Sequence, residues 1–230
     1  NDAAGHVQFS NPPYEIPVGG LPVSVFAADI FGSDQVDDLV VFNYGVSGGP
    51  GKVELFRLFP SQEGITYTLV QTISDFGTYP RAMDLDFHTS LNRWMIAVAD
   101  RDNSSARVYQ KSLNSPYFES AGTYPQSYPV EIMLDDLNMD GNLDLSFVDE
   151  GSNRFGYRAG QTGGTFASTA TYLSTPSGNG YLVRMKAVLN DTDTAKHVAI
   201  GTSTGKFLLY KSLGSSFPTG SPSVYSLSSY

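Results

Sequence analysis

The sequence lacks several residue types that would point to particular functions. It contains no cysteine, and only 16% of its 230 residues are charged. The absence of cysteine excludes a disulfide framework, a thiolate zinc site and a cysteine nucleophile. No apolar run approaches the roughly 18 residues of a membrane-spanning helix, so membrane insertion is not expected. The net charge of −9 disfavours a nucleic-acid partner, because the phosphate backbone is bound by cationic surfaces.

The residues that are abundant are typical of β-strands and turns. Hydrophobic residues make up 40% of the chain and aromatic residues 13%, as in a folded protein. Short runs of alternating apolar and polar residues, separated by Gly, Asn, Ser, Pro and Asp, recur about every ten residues. No long segment follows the helical period of 3.6 residues. The sequence therefore predicts an all-β fold.

A longer repeat is superimposed on the strand pattern. Strand openings near Pro22, Arg81, Pro129 and Leu182 lie about 50 residues apart, which is the length of a four-stranded propeller blade. The prediction is a β-propeller of about four four-stranded blades, all in one domain that comprises residues 1–230. The expected blades are residues 20–75, 79–124, 128–174 and 180–230, and residues 1–19 carry an extra N-terminal strand at residues 6–10. Four blades make the smallest ring, so these blades could also be part of a larger propeller.

The strongest local signal is the segment Asp136–Asp144. Oxygen-bearing side chains stand at its first, third, fifth and ninth positions, and Gly141 follows the third of them. Such a loop can turn its oxygens inward, as a hard cation with six to eight oxygen ligands requires, and glycine permits the turn. The alternative is a hydrogen-bonded Asx turn without a metal. The predicted Ca²⁺ ligands, including a backbone carbonyl near Asn142, are Asp136, Asn138, Asp140, Asn142 and Asp144.

Two features exclude an EF-hand at this loop. An EF-hand has a glutamate at its twelfth position and a helix on either side. Here the twelfth position is Phe147, and both flanking segments alternate as strands.

The segment from Asp136 to Phe166 resembles an FG-GAP or VCBS repeat. The resemblance lies in the acidic loop, in Leu143-Asp144-Leu145, in Asp149-Glu150-Gly151-Ser152-Asn153 and in the glycine-rich turn from Gly160 to Phe166. That family comprises calcium-loop propeller blades similar to those of integrin α-chain heads and of bacterial surface proteins and lectins. The resemblance implies a calcium-binding propeller in a secreted or cell-surface protein.

The other units match this pattern less well. In the first, a weaker second calcium site is expected from Asp29, Ser33, Asp34 and Asp38. In the second, Asp86, His88 and Ser90 fill the first ligand positions, but Trp94 replaces the closing aspartate. In the fourth, only Asp191 and Asp193 remain, because Leu189 and His197 replace the outer ligands. Calcium is not expected in these last two loops, because each has lost a carboxylate.

The signals for catalysis are weak, and no catalytic residue is assigned. The Gly-x-Ser-x-Gly motif occurs at Gly45–Gly49 and at Gly201–Gly205, but both copies fall at predicted hairpins and not at a strand-to-helix elbow. The histidines lack metalloprotease spacing. Carboxylate pairs such as Asp149-Glu150 could serve a glycosidase, although the sequence cannot fix the distance between them.

Tyrosines recur just before the opening strands, at Tyr79, Tyr124 and Tyr128, with Tyr14 and Tyr181 in related positions. They could stack against sugars or a protein partner, and the preferred interpretation is that they pack between blades. The leading hypothesis is a non-enzymatic binding or adhesion module for a glycan or an extracellular protein. The alternative is a structural subunit that self-assembles into a filament, and a polysaccharide-degrading enzyme is less favoured.

Overall fold

The structure is a computed structural model that describes residues 15–32, 36–61, 64–189, 196–212 and 217–226. These residues form 18 β-strands and a single turn of 3₁₀ helix at Thr89–Leu91. The prediction of an all-β fold is confirmed. No helix in the described ranges is long and apolar enough to span a membrane. The expected N-terminal strand at residues 6–10 lies outside the described residues.

The strands form four four-stranded antiparallel sheets and one small hairpin. In sheets one, two and four, each strand pairs with the next along the chain. In sheet three, the two-stranded hairpin β12–β13 stands between the third and fourth strands. The bounds are β1 (Leu21–Ala28), β2 (Asp38–Tyr44), β3 (Lys52–Ser61) and β4 (Gly64–Ile73) in sheet one; β5 (Ala82–His88), β6 (Arg93–Asp100), β7 (Ser105–Ser112) and β8 (Glu119–Pro125) in sheet two; β9 (Pro129–Asp135), β10 (Asp144–Asp149), β11 (Arg154–Arg158) and β14 (Thr171–Leu173) in sheet three; β12 (Gly160–Gln161) and β13 (Thr165–Phe166) in the hairpin; and β15 (Leu182–Leu189), β16 (Lys196–Thr202), β17 (Lys206–Tyr210) and β18 (Ser223–Ser226) in sheet four.

The hydrophobic pattern of the second strands reflects burial on both faces. Residues Met95 to Ala99 of β6 are all fully buried and all apolar. A strand that is covered on one face alternates apolar and polar residues, whereas one that is covered on both faces is continuously apolar. Sheet two is therefore enclosed between two neighbours.

A hydrophobic cluster lies between each pair of consecutive sheets. None of these three clusters contains residues of both sheet one and sheet four. The sheets therefore pack face to face in chain order. Representative members are Phe42, Leu55, Val98 and Tyr109 between sheets one and two; Ala97, Val108, Leu134 and Leu145 between sheets two and three; and Val148, Phe155, Ile200 and Tyr210 between sheets three and four.

The first strands of all four sheets line one cavity of about 340 Å³. Val23 of β1, Met83 of β5, Ile132 of β9 and Met185 of β15 are among its lining residues. The four sheets therefore have equivalent inner strands that face a common space.

Two local predictions can be compared with the strands. Trp94, which the sequence predicts to pack between blades and not to form a ligand cage, packs against the cluster between sheets one and two and lies 5.1 Å from the ring of Phe87. The alternating pattern of the sequence predicts the last strand of the third unit as one segment from Phe166 to Tyr172, which is wrong. Thr165–Phe166 instead pairs with Gly160–Gln161, and Thr171–Leu173 pairs with β11.

Candidate functional site

The two ends of each sheet carry different loops. The strand β9 starts after Tyr128 and ends at Asp135, just before the acidic loop. Loops that join a first strand to a second strand therefore lie at one end, here called the acidic end. Loops that precede the first strands lie at the other end, here called the tyrosine end.

The acidic loop closes around the carboxylate of Asp136. Its Oδ1 atom accepts a hydrogen bond from the amide of Asp140 at 3.0 Å, and its Oδ2 atom accepts one from the amide of Gly141 at 2.9 Å. Asp140 in turn accepts hydrogen bonds from the side chain of Asn138 and from the amide of Asn142. Gly141 has a φ of +89°, which glycine adopts without strain. These contacts are those of consecutive Asx turns.

Asp144 fixes this loop to the rest of sheet three. Its side chain is fully buried, and its two oxygens accept hydrogen bonds from the amides of Leu137 at 2.9 Å and Gly160 at 2.7 Å. Burial raises the pKa of Asp144 to about 7. The carboxyl group thus joins the start of the loop to the strand that follows β11.

The donor set of the loop suits a hard divalent cation, since it consists of three carboxylates and two side-chain amides. In the residues that the structure describes, no three Asp, Glu or His side chains converge as a metal-binding group. The oxygens of Asp136 and Asp144 face backbone amides instead. Calcium binding at these residues stays a prediction.

The first unit repeats the closing contact. Asp38 is buried, and its Oδ2 atom accepts hydrogen bonds from the amides of Ile30 at 3.0 Å and Phe31 at 2.8 Å. Its Oδ1 atom accepts one from the amide of Leu58 at 3.2 Å. Asp38 therefore plays the same part in sheet one that Asp144 plays in sheet three.

The remaining members of the weaker site are not brought together in the same way. The Oδ1 atom of Asp29 is buried and has no hydrogen-bond partner in the described part of the chain. Ser33 and Asp34 lie outside the described residues, as do Asp191 and Asp193 of the fourth unit.

The second unit contacts the acidic loop. The sequence does not predict this contact. The hydroxyl group of Ser90 donates a hydrogen bond to the carbonyl oxygen of Gly141. His88 lies at the start of the same short turn, and it is buried with a pKa that its burial lowers. This contact between two loops 51 residues apart has no local sequence signal.

Three tyrosines stand at the same point of successive repeats at the tyrosine end. Tyr79, Tyr128 and Tyr181 precede the first strands of sheets two, three and four, and they are 53%, 49% and 65% exposed. The preferred interpretation, packing between blades, fits Tyr79, whose ring contacts that of Tyr44 in sheet one, and Tyr124, whose ring lies 5.5 Å from that of Phe166. For Tyr128 and Tyr181 it stays a prediction. Tyr14 lies outside the described residues.

A cavity of about 350 Å³ opens among these loops. Its lining includes the rings of Tyr44 and Tyr181 and four charged side chains, those of Arg81, Glu131, Glu150 and Arg184. Tyr44 makes an edge-to-face contact with Tyr79, with ring centroids 6.2 Å apart. The cavity shares several lining residues with the one between the first strands.

Two carboxyl groups that line the two cavities have raised pKa values. Burial raises the pKa of Glu131 to about 7, although Arg184 donates a hydrogen bond to it at 3.2 Å. Burial also raises the pKa of Asp84 to about 6, and the amide of Leu134 donates to this carboxyl group at 2.8 Å. Both acids carry less than a full negative charge near neutral pH.

Both Gly-x-Ser-x-Gly segments lie at hairpins between second and third strands, as predicted. Gly45–Gly49 follows β2, and Gly201–Gly205 joins β16 to β17. The hydroxyl oxygen of Ser203 accepts a hydrogen bond from the amide of Tyr181 at 3.0 Å, which holds the loop that carries this tyrosine. The serine therefore has a structural contact.

No protein-family model and no curated protein matches the chain, so the resemblance to FG-GAP and VCBS repeats rests on residues 136–166 alone.

Proposed function

We propose that the chain is a calcium-binding β-propeller of the FG-GAP and VCBS type that binds glycans at its tyrosine end, outside the cell. The four sheets are then its blades, and the acidic loop is its calcium site. The observation that carries the proposal is the recurrence of an exposed tyrosine before the first strand in three successive repeats, one of which, Tyr181, lines the cavity.

Two features of the fold support the arrangement as blades. Consecutive sheets pack face to face, and their first strands line a common cavity. Radial repetition of four-stranded sheets around a central channel is the definition of a propeller. The equivalent contacts of Asp38 and Asp144 further support a repeated unit.

Exposed aromatic rings support sugar binding. A tyrosine ring offers a flat apolar face and a hydroxyl group, and it loses little conformational entropy on binding. Exposed aromatic rings that recur at one end favour a binding surface there, and three of the six tyrosines that are at least 40% exposed in the described residues precede first strands. We propose no enzymatic activity for this surface.

Calcium would stiffen the acidic end. Asp136, Asn138, Asp140, Asn142 and Asp144 would hold the cation, which would neutralise the carboxylates that crowd the loop. The site would act on ligand binding only through the stability of sheets two and three, which the loop joins.

Replacing Tyr181 with alanine is expected to weaken glycan binding about tenfold, since loss of one stacking ring costs on the order of 1.4 kcal/mol. A glycan array identifies the saccharides bound, and calorimetry with the best of them gives the affinities of the two proteins. Binding should also weaken in EGTA. The matched control is Tyr67→Ala, because Tyr67 is 40% exposed on β4 and lies opposite Leu58, at the acidic end.

Equal affinities for wild type, Tyr181→Ala and Tyr67→Ala would contradict the proposal. Release of sugar during the assay would instead favour the enzymatic alternative. Sedimentation as a large polymer without saccharide binding would favour the structural subunit.

A further inference from the structure

The cavities between the first strands and at the tyrosine end contain charged side chains of both signs. Their lining includes three cations, Arg81, Arg184 and Lys186, and three acids, Asp84, Glu131 and Glu150. The pairing of these groups therefore decides which charge is open to a ligand. In a chain whose net charge is −9, a cation without a partner in such a cavity favours a ligand of negative charge.

The three acids are already engaged. Glu131 accepts a hydrogen bond from Arg184, Glu150 accepts one from Arg101 at 2.8 Å, and Asp84 accepts one from the amide of Leu134. The raised pKa values of Glu131 and Asp84 leave these two partly protonated near pH 7. The acids therefore oppose an incoming anion less than three free carboxylates would.

Arg81 is the available cation. Its backbone amide donates to Ala99, but its guanidinium group makes no hydrogen bond or ion pair with any other residue that the structure describes. It is exposed and lines both cavities. A free guanidinium presents a planar fork of N–H donors that matches a carboxylate in two-point contact.

The shape of the site selects a ring-bearing ligand. The rings of Tyr44 and Tyr181 line the same cavity as Arg81. Its volume of about 350 Å³ lies at the small end of the range of roughly 300–1,000 Å³ for small-molecule sites, which suits one or two sugar rings. One unpaired guanidinium matches a singly charged carboxylate better than a doubly charged phosphate.

We infer that the cavity at the tyrosine end binds a carboxylated sugar, with the carboxylate on Arg81 and a sugar ring against Tyr44 or Tyr181. This inference rests on the proposed function and names the class of glycan. Sialic acids and uronic acids share this chemistry, so both are used as probes.

The experiment measures affinities for two pairs of saccharides by calorimetry: 3′-sialyllactose with lactose, and trigalacturonate with its methyl ester. Wild-type protein should bind each carboxylated member at least tenfold more tightly than its neutral partner. Arg81→Gln should remove this preference, because the carboxylated member loses its cationic partner. The control is Lys211→Gln, which removes one exposed cation at the acidic end, after β17, and should preserve the preference.

The pair that shows the larger preference for its carboxylated member identifies the class of sugar, because a site shaped for a sialic acid binds a uronic acid less well, and the reverse. Arg81→Lys should recover only part of the preference, since an ammonium group lacks the planar fork. Acetate tests for a site that recognises the negative charge alone and not the sugar ring. Acetate binding as tight as that of the trisaccharides would overturn the inference.

Two outcomes separate the inference from the proposed function. If neutral saccharides bind as tightly as carboxylated ones, and Tyr181→Ala still weakens them, the choice of an acidic sugar is wrong while glycan binding stands. If Arg81→Gln and Lys211→Gln reduce the preference equally, bulk charge explains it and the site on Arg81 is wrong. If no saccharide binds, both proposals are wrong.

Discussion

Replacing Asp144 with alanine is expected to lower the free energy of unfolding by about 3 kcal/mol, even without calcium. The side chain is fully buried, and its loss leaves the amides of Leu137 and Gly160 without their partner. Each unpaired buried amide costs roughly 1–3 kcal/mol. Urea unfolding of both proteins in EGTA measures this difference, and EGTA excludes any contribution of a bound cation.

Asp140→Ala is the matched control in the same loop. Asp140 is exposed, and among the described residues its carboxylate accepts hydrogen bonds only from Asn138 and Asn142. In EGTA this substitution should lower the free energy of unfolding by less than about 1 kcal/mol. Similar losses for the two variants in EGTA would show that Asp144 does not join the loop to the following strand as described.

Gly160→Ala should lower the free energy of unfolding by a comparable amount, about 2–4 kcal/mol. A Cβ atom at this position would lie 2.3 Å from the carbonyl oxygen of Leu143, and backbone would have to move to relieve the clash. That movement would separate Gly160 from Asp144 and open the acidic loop. Thermal or urea unfolding measures the loss.

The control for this variant is Gly201→Ala in β16. There the nearest atom to an added Cβ is the carbonyl oxygen of Arg184 at 3.9 Å, an ordinary contact. Alanine at this strand position should leave the free energy of unfolding within about 1 kcal/mol of wild type or raise it, because glycine loses more backbone entropy on folding. Equal effects of the two substitutions would contradict the close approach of Gly160 to Leu143.

The features that sequence reasoning predicted well have local causes. Strand positions follow from alternation and from turn residues, so each of the four intervals expected to form a blade contains one four-stranded sheet to within one residue. The equivalence of Asp38 and Asp144 could also be predicted from the sequence, because both residues close a loop of similar length where a second strand begins.

The features that it missed depend on contacts between distant parts of the chain. The contact of Ser90 with Gly141 joins two repeats, and no spacing within either repeat indicates it. The exposure of Tyr79, Tyr128 and Tyr181 follows from how successive sheets are placed, whereas Tyr124 in a similar sequence is covered by Phe166. The acidic loop itself had two interpretations, because the same side chains can hold a cation or cap their own amides.

Calcium at the acidic loop is the claim on which the proposed family and the proposed function both depend. Thermal unfolding of wild type and Asp140→Ala, each in excess calcium and in EGTA, tests it directly. Calcium at a hundredfold excess over its Kd adds about 2.7 kcal/mol, which for a chain of this size raises the Tm of wild type by roughly 5–10 °C. Asp140→Ala should lose most of that rise and melt close to wild type in EGTA. A wild-type Tm that is the same in calcium and EGTA, or an equal deficit of the variant in both, would contradict the calcium site.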